Sequence, residues 1–203
     1  MDGTIYSDDR LYDGAIELFE NIRSQNGHFV FITNNSSKSV DNYINKLLKM
    51  NIPVTQDNFF TSSQVMAIFL IENYINERIF CVGTRAFINE MIKSGLNITD
   101  EFDENCTCLI VGFDTELNYA KLAFACKLLY KGVPYYATNI DKACPTDFGF
   151  IPDCGAICEA IYFATGKRPT FLGKPNPIII THKMDELKVE NNKAVVVGDR
   201  LYK

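Results

Sequence analysis

Several features that would place this chain in a broad class of proteins are missing from it. It has no tryptophan and only two histidines, and none of its seven cysteines form the Cys-x-x-Cys spacing of a zinc site. Its apolar runs, such as 67–71 and 108–111, are far shorter than the about 20 residues that span a membrane. A net charge of −5 gives no general attraction to nucleic acid. We therefore expect no structural zinc, no membrane span and no nucleic-acid partner.

The composition is otherwise that of a globular protein. Of the 203 residues, 47% are hydrophobic and 12% aromatic, which is enough to build a buried core. The start of the sequence shows no basic region followed by an apolar stretch, so no export signal is visible. The odd number of widely spaced cysteines favours reduced thiols, and we expect a cytoplasmic protein.

Helical and strand-like patterns alternate along the chain, which favours an α/β protein with parallel strands. The predicted strands are 28–33, 59–61, 79–82, 108–113, 135–138, 170–172 and 194–197. The predicted helices are one capped by Asp13 and ended by Gly27, one around 40–48, and then 64–73, 85–94, 117–131, 155–165 and 177–187. The stretch 139–153 is predicted to be irregular.

Four polar clusters lie at the predicted ends of strands or at the start of the chain, at 2–4, 33–37, 173–175 and 198–200. Each alone has an ordinary explanation as a turn, a helix cap or an exposed lysine. In combination they supply carboxylates, which suit Mg²⁺, and a hydroxyl and a lysine, which suit a transferring phosphoryl group. The combination indicates phosphoryl chemistry.

The four clusters resemble, in order, the motifs of the haloacid dehalogenase superfamily. The matching segments are MDGTIY at 1–6, FITNNSS at 31–37, FLGKPNP at 171–177 and VVVGDRL at 195–201. The closer resemblance is to class IIA with a type-two cap, the NagD-like, p-nitrophenyl and phosphoglycolate phosphatases. It implies a Rossmann-like, three-layer core with a parallel sheet, divided as 1–76 and 167–203, and an inserted α/β cap at 77–166.

The resemblance also implies a role for individual residues in a Mg²⁺-dependent phosphatase. Asp2 would be the general acid and base and would bind the metal together with Asp199. Thr33, Asn34 and Asn35 would bind the phosphoryl oxygens. Lys174 would offset the negative charge of the phosphoryl group and of the nucleophile.

The family's nucleophilic aspartate, which forms an aspartyl-phosphate, lies two positions before the residue matched by Asp2. Met1 stands immediately before Asp2, and Lys203 stands where the fourth motif usually has a threonine. We therefore expect the chain to be a fragment of a longer enzyme, with an incomplete core, poor folding alone and no activity as given.

The loop 139–155 matches the family's substrate-selecting segment, in which Asp141, Cys144 and Asp147 are candidate contacts. We expect a small phosphorylated metabolite as the substrate and a possible homodimer through the cap. Two alternatives stay open: a non-catalytic relative that binds a phosphorylated ligand or partner, and an unrelated nucleotide-binding module. The second is disfavoured because the chain has neither the GxGxxG nor the GxxxxGK(S/T) pattern of a glycine-rich phosphate-binding loop.

Overall fold

The computed structural model of the chain describes residues 1, 3–7, 9–146 and 148–198. In this part the strands are β1 (Tyr6–Ser7), β2 (Arg10–Leu11), β3 (Phe31–Thr33), β4 (Phe59–Thr61), β5 (Arg78–Val82), β6 (Asn97–Thr99), β7 (Cys108–Val111), β8 (Tyr135–Ala137), β9 (Ala143–Thr146), β10 (Gly149–Pro152) and β11 (Thr170–Phe171). The α-helices are α1 (Ala15–Ser24), α2 (Val40–Lys49), α3 (Ser62–Tyr74), α4 (Arg85–Lys93), α5 (Tyr119–Tyr130), α6 (Cys154–Thr165) and α7 (Ile178–Leu187).

The largest sheet has five parallel strands in the order β11-β8-β7-β5-β6. Successive side chains of a strand point to opposite faces, and both faces of this sheet are covered. Ile79 and Cys81 of β5 pack with α3 and α4, whereas Phe80 and Val82 pack with α5 and α6. Helices on both faces of a parallel sheet give a three-layer α/β unit, as predicted.

A second group of elements comes from the first 61 residues. Strands β3 and β4 pair in parallel, and β1 and β2 form a short antiparallel pair. The buried side chains of these strands pack with α1 and α2 through aromatic contacts. Phe31, for example, lies 5.6 Å from the ring of Phe19 and 5.3 Å from that of Phe59.

Two sequence predictions about secondary structure are wrong. Residues 194–197 form no strand, and Val195 and Val196 are 88% and 71% exposed. No strand in the described part lies alongside them, and an extended segment needs a partner for its backbone groups. The stretch 139–153 is not wholly irregular, because β9 and β10 pair antiparallel with Thr146 opposite Gly149.

Smaller differences concern single ends and three short strands that the prediction omits, β1, β2 and β6. The first helix begins at Ala15 after Gly14, whose φ is +83°, and Asp13 makes no cap. Strand β6 (Asn97–Thr99) was not predicted, since its three residues are too few to show a period.

Two further observations concern membrane-spanning helices and the cysteines. No helix in the described ranges combines the length and the apolar character that crossing a bilayer requires. All seven cysteines are free thiols, and five of them are buried.

Candidate functional site

The polar loop 34–37, which directly follows β3, lies against the carboxyl ends of the large sheet. The Ser36 hydroxyl accepts a hydrogen bond from Phe113 N at 2.9 Å, just beyond β7. Its oxygen also lies 3.1 Å from the Thr138 hydroxyl, just beyond β8. The Thr84 hydroxyl, beyond β5, donates to the Ser37 carbonyl at 3.4 Å. The loop is therefore held where the ends of three parallel strands converge, which is where α/β proteins bind ligands.

Asn34 connects this loop to Lys174 through its side chain. Asn34 Oδ1 accepts from Lys174 N at 2.9 Å, and Asn34 Nδ2 donates to Lys174 O at 3.0 Å. The same Nδ2 donates to Asp141 Oδ2 at 3.2 Å. Only 5% of Asn34 is exposed, so these bonds lie away from competing water. We call the two bonds between Asn34 and Lys174 the Asn34–Lys174 pair.

The carbonyl of Asn34 is held as firmly as its side chain. It accepts from Ser62 Oγ at 2.7 Å and from Asn139 Nδ2 at 2.8 Å. Ser62 begins α3 and Asn139 begins the loop that leads to β9, so residues far apart in the sequence fix one peptide group. Both donors are fully buried.

The Lys174 ammonium group is directed to the end of β3. Its Nζ donates to the Ile32 carbonyl at 3.2 Å, which puts the positive charge beside Thr33. The Thr33 hydroxyl oxygen accepts from Asn35 N at 3.2 Å. Because that oxygen is used as an acceptor, its own proton can be donated, either to the Tyr43 phenol, which lies within hydrogen-bond reach, or to a ligand. A hydroxyl donor and an ammonium group thus lie side by side.

The orientation of Asn35 is fixed by the next turn of the loop. Asn35 Oδ1 accepts from Ser37 N at 2.9 Å and from Ser37 Oγ at 2.7 Å. The carbonyl of Asn35 is approached by the Tyr43 hydroxyl at 3.5 Å. Burial raises the pKa of Tyr43 well above its ordinary value, so this phenol stays neutral and can only donate or accept hydrogen bonds.

The lining of one cavity of about 720 Å³ includes Tyr43 together with residues of the polar loop and Lys174. The cavity brings together six residues that the sequence predicts for the site: Thr33, Asn34, Asn35, Asp141, Cys144 and Lys174. The predicted site residues Asp2, Asp147 and Asp199 lie outside the described residues. The volume falls within the range of small-molecule sites, and the polar groups converge at one end.

Two glycines let the chain approach this site closely. A Cβ on Gly173 would lie 2.3 Å from the Thr138 carbonyl and 2.9 Å from Asn34 Oδ1. A Cβ on Gly155 would lie 2.3 Å from the Ile140 carbonyl. Neither distance is compatible with a side chain, so both positions require glycine for the loops to pack as they do.

Several residues of the site were not predicted from the sequence. Ser62, Asn139 and Tyr43 hold the polar loop, and Asp153 lines the cavity while its side chain accepts from Cys154 N at 2.6 Å. Ser62 had a signal that could have been used, since it follows directly after the apolar strand β4. Tyr43 lies on the apolar face of α2 and has no signal that separates it from an ordinary core residue.

The described residues do not form a magnesium site by themselves. No group of three or more histidine, cysteine, aspartate or glutamate side chains within the described ranges is placed to hold a metal ion. Asp141 and Asp153 bring carboxylates to the cavity, but each already accepts a hydrogen bond. The two predicted metal ligands are Asp2 and Asp199, whose positions are not described.

A second, smaller cavity of about 410 Å³ lies beside α5. Its wall includes Phe80, Phe102 and Phe124, and none of the predicted site residues that the structure describes lines it. Lys121 reaches its base but is occupied by Asp114 and by the Gly83 carbonyl, each at 2.8 Å. The chemistry-bearing groups therefore point to the larger cavity.

Comparisons with known proteins identify the family of the chain. A family model described as "Haloacid dehalogenase-like hydrolase" matches residues 1–97. The chain is 31% identical over 199 residues to an acid sugar phosphatase of Staphylococcus epidermidis, covering 98% of this chain and 76% of that protein.

Two solved structures share the fold. A 4-nitrophenylphosphatase from Thermotoga maritima matches with a TM-score of 0.89 and 37% identity, over 95% of this chain and 73% of its own. A glycerol phosphate phosphatase from Mycobacterium tuberculosis, solved in complex with magnesium, matches with a TM-score of 0.92 and 30% identity, over 100% of this chain and 61% of its own. The chain therefore belongs to the haloacid dehalogenase-like hydrolases, within their NagD-like class IIA branch of phosphatases.

Proposed function

We propose that this protein hydrolyses a small phosphorylated metabolite and that it holds the phosphoryl group at Thr33, Asn35 and Lys174. The observation that carries the proposal is the Asn34–Lys174 pair. It joins two segments 140 residues apart in sequence, so that the Thr33 hydroxyl and the Lys174 ammonium group meet at one end of the cavity.

The chemistry of these groups fits a phosphoryl ligand. Negative charge spreads over the phosphoryl oxygens during transfer, and preorganised donors and cations stabilise it. Thr33 can donate one hydrogen bond, and the ammonium group of Lys174 supplies the charge. The side chain of Asn34 is occupied by Lys174 and Asp141, so its part is to position Lys174.

The family resemblance supports the remaining roles. We propose that Asp2 is the general acid and base, that Asp2 and Asp199 hold Mg²⁺, and that an aspartate two positions before Asp2 attacks the phosphorus to give an aspartyl-phosphate. When bound, Mg²⁺ neutralises charge on the phosphoryl oxygens. The magnesium complex of the mycobacterial relative supports this metal. Without the attacking carboxylate, the 203-residue chain would not hydrolyse the ester.

Further proposals concern the surroundings of the site. We propose that residues 77–166 form the substrate-selecting unit, in which Asp141, Cys144 and Asp147 contact the substrate, and that two copies pair through this unit. Asp141 and Cys144 line the cavity, which supports the proposed contacts with the substrate. The seven free thiols support our placing the protein in the reducing cytoplasm.

The experiment has two parts. Binding of inorganic phosphate to the 203-residue chain is measured by calorimetry with Mg²⁺ and with EDTA. Release of phosphate from a panel of phosphate monoesters is then measured for the same chain and for a chain extended to include an aspartate two positions before Asp2. We expect Mg²⁺-dependent turnover only by the extended chain, and phosphate binding by the extended chain and by the folded fraction of the 203-residue chain.

Lys174→Met should abolish phosphate binding, whereas Lys49→Met, at an exposed position in α2, should leave it unchanged. Turnover by the extended chain that persists in EDTA would contradict the metal proposal. Phosphate binding by an extended chain that never turns over any ester would favour the non-catalytic alternative.

A further inference from the structure

One wall of the 720 Å³ cavity carries polar side chains that the phosphoryl group does not need. Lys38, Asn42 and Lys46 all line it. They are spaced four residues apart, and Asn42 and Lys46 lie on α2, so they fall along one side of the helix and of the turn that leads into it. With a rise of about 1.5 Å per residue, this row extends the cavity well beyond the size of one phosphoryl group.

The donors on this wall are available to a ligand. Among the described residues, Lys38 makes no hydrogen bond or ion pair, and its side chain is exposed. Asn42 Oδ1 accepts from Ser39 N at 3.0 Å and from Ser39 Oγ at 2.8 Å. This orientation leaves Asn42 Nδ2 as a donor without an acceptor in the described part of the chain.

Lys46 is held in place but not neutralised. Its Nζ lies 4.1 Å from the centre of the Tyr6 ring, which fixes the ammonium group over an aromatic face. Its carboxylate partner is Asp9, at 3.7 Å, with a side chain that is 96% exposed. A pair as exposed as this contributes little and is displaced easily by a ligand that brings its own charge.

The cavity lining carries three lysines and two carboxylates: Lys38, Lys46, Lys174, Asp141 and Asp153. Asp141 accepts from the Asn34 side chain, and Lys174 Nζ donates to the Ile32 carbonyl next to Thr33. Lys38 and Lys46 lie on the α2 wall, with an amide donor between them. Two cations in a cleft attract an anion more strongly than they would on a flat surface, because the low-dielectric walls focus the field.

We propose that Lys38, Asn42 and Lys46 form a second anion subsite, and that the substrate is a phosphomonoester with a second anionic group, a carboxylate or another phosphoryl group. This rests on the proposed function, because the first phosphoryl group must lie at Thr33 and Lys174 for the second to reach α2. The residues of the subsite then select substrates and take no part in the bond that breaks.

The test compares ligands that differ in the second anion. By calorimetry in Mg²⁺ at constant ionic strength, 3-phosphoglycerate is compared with glycerol 3-phosphate, in which a hydroxymethyl group replaces the carboxylate. Fructose 1,6-bisphosphate is compared with fructose 6-phosphate, which tests a second phosphoryl group. Inorganic phosphate is the common reference. In at least one pair, we expect the ligand that carries the second anionic group to bind about three- to tenfold more tightly.

Variants locate the effect on the α2 wall. Lys38→Met and Lys46→Met should each reduce the preference, and Lys38→Arg should retain it because the charge stays. Lys49→Met, on the same helix but outside the cavity lining, should keep the full preference. Equal binding within each pair, or a preference that survives both methionine variants, would overturn the inference while phosphate binding upheld the proposed function. If inorganic phosphate does not bind at all, the proposed function fails first.

Discussion

Asn34 and Lys174 face each other across 140 residues of sequence and form two hydrogen bonds, of 2.9 and 3.0 Å, between one side-chain amide and one backbone unit. An amide side chain matches the backbone N–H and carbonyl of one residue in this way because its acceptor oxygen and its donor NH₂ group lie side by side. The position of the Lys174 backbone, and hence of its ammonium group, depends on this match.

Replacing Asn34 by alanine should therefore weaken phosphate binding and lower stability together. The change leaves the buried N–H and carbonyl of Lys174 without these partners, which costs about 1–3 kcal/mol of the free energy of unfolding. Calorimetry with inorganic phosphate and urea unfolding measure the two effects. Asn21→Ala, at an exposed position in α1, should change neither. Wild-type phosphate affinity in Asn34→Ala would show that the Asn34–Lys174 pair does not position the lysine.

Gly173→Ala should disturb the same site from the backbone side. Its Cβ would lie 2.3 Å from the Thr138 carbonyl, so the turn must move and the bond from Gly173 N to Thr138 O, 2.8 Å, must lengthen. We expect a loss of about 1–3 kcal/mol in stability and weaker phosphate binding. Thermal unfolding measures the first, with Gly198→Ala as a control, since nothing lies within 4 Å of a Cβ there. Equal melting temperatures for the two variants would contradict the packing described.

Glu90 should make stability depend on pH. Burial raises the pKa of its carboxyl from 4.5 to about 7. Between these values the folded protein keeps a proton that the unfolded chain has released, so the free energy of unfolding falls as the pH rises through this range and is then level. Glu90→Gln removes the carboxylate, and we expect it to be more stable than the wild type at pH 8, by about 1–3 kcal/mol, and no more stable at pH 4.

Urea unfolding at pH 4, 6 and 8 measures this difference. Glu72→Gln, at an exposed position in α3, should follow the wild type at every pH. A stability gap between Glu90→Gln and the wild type that is the same at pH 4 and pH 8 would contradict the raised pKa.

The buried ion pair of Lys121 and Asp114 should be sensitive to the loss of one partner. The side chains are 8% and 0% exposed, and the Nζ to Oδ2 distance is 2.8 Å. Lys121→Met leaves the Asp114 carboxylate buried without its cation, which should cost about 3–5 kcal/mol. Changing both residues to apolar ones should cost less than the single change, which urea unfolding can measure. Lys131→Met, which breaks an exposed pair with Glu104, should cost under about 1 kcal/mol.

The sequence predicted the parts of the fold that repeat a pattern over several residues. The core strand Cys108–Val111 and the long helices were found because burial on both faces, or at helical spacing, leaves a hydrophobic period. The short strands β1, β2 and β6, which were not predicted, have two or three residues and no period to read. The prediction for 194–197 was wrong for another reason, since an apolar run shows β-propensity but does not supply the neighbouring strand.

The site could be predicted only as far as the family motifs reach. Thr33, Asn34, Asn35 and Lys174 were named from those motifs, and the structure brings all four to one cavity. The residues that hold them were not found, because Asn139 and Ser62 act through a single backbone carbonyl. A polar residue that binds a distant peptide group has no sequence partner to reveal it. The roles of Asp2, Asp147 and Asp199 stay predictions, since these residues lie outside the described ranges.

The two hydrogen bonds to the Asn34 carbonyl have a consequence for how such proteins can be shortened. One donor, Ser62, precedes residues 77–166, and the other, Asn139, belongs to them. The carbonyl of Thr138, which also belongs to residues 77–166, accepts a hydrogen bond from Gly173 N, next to Lys174. Excising that stretch would remove supports from both segments that meet at the cavity. The stretch is thus no detachable accessory, and a miniature version of the protein would need new groups to hold the loop.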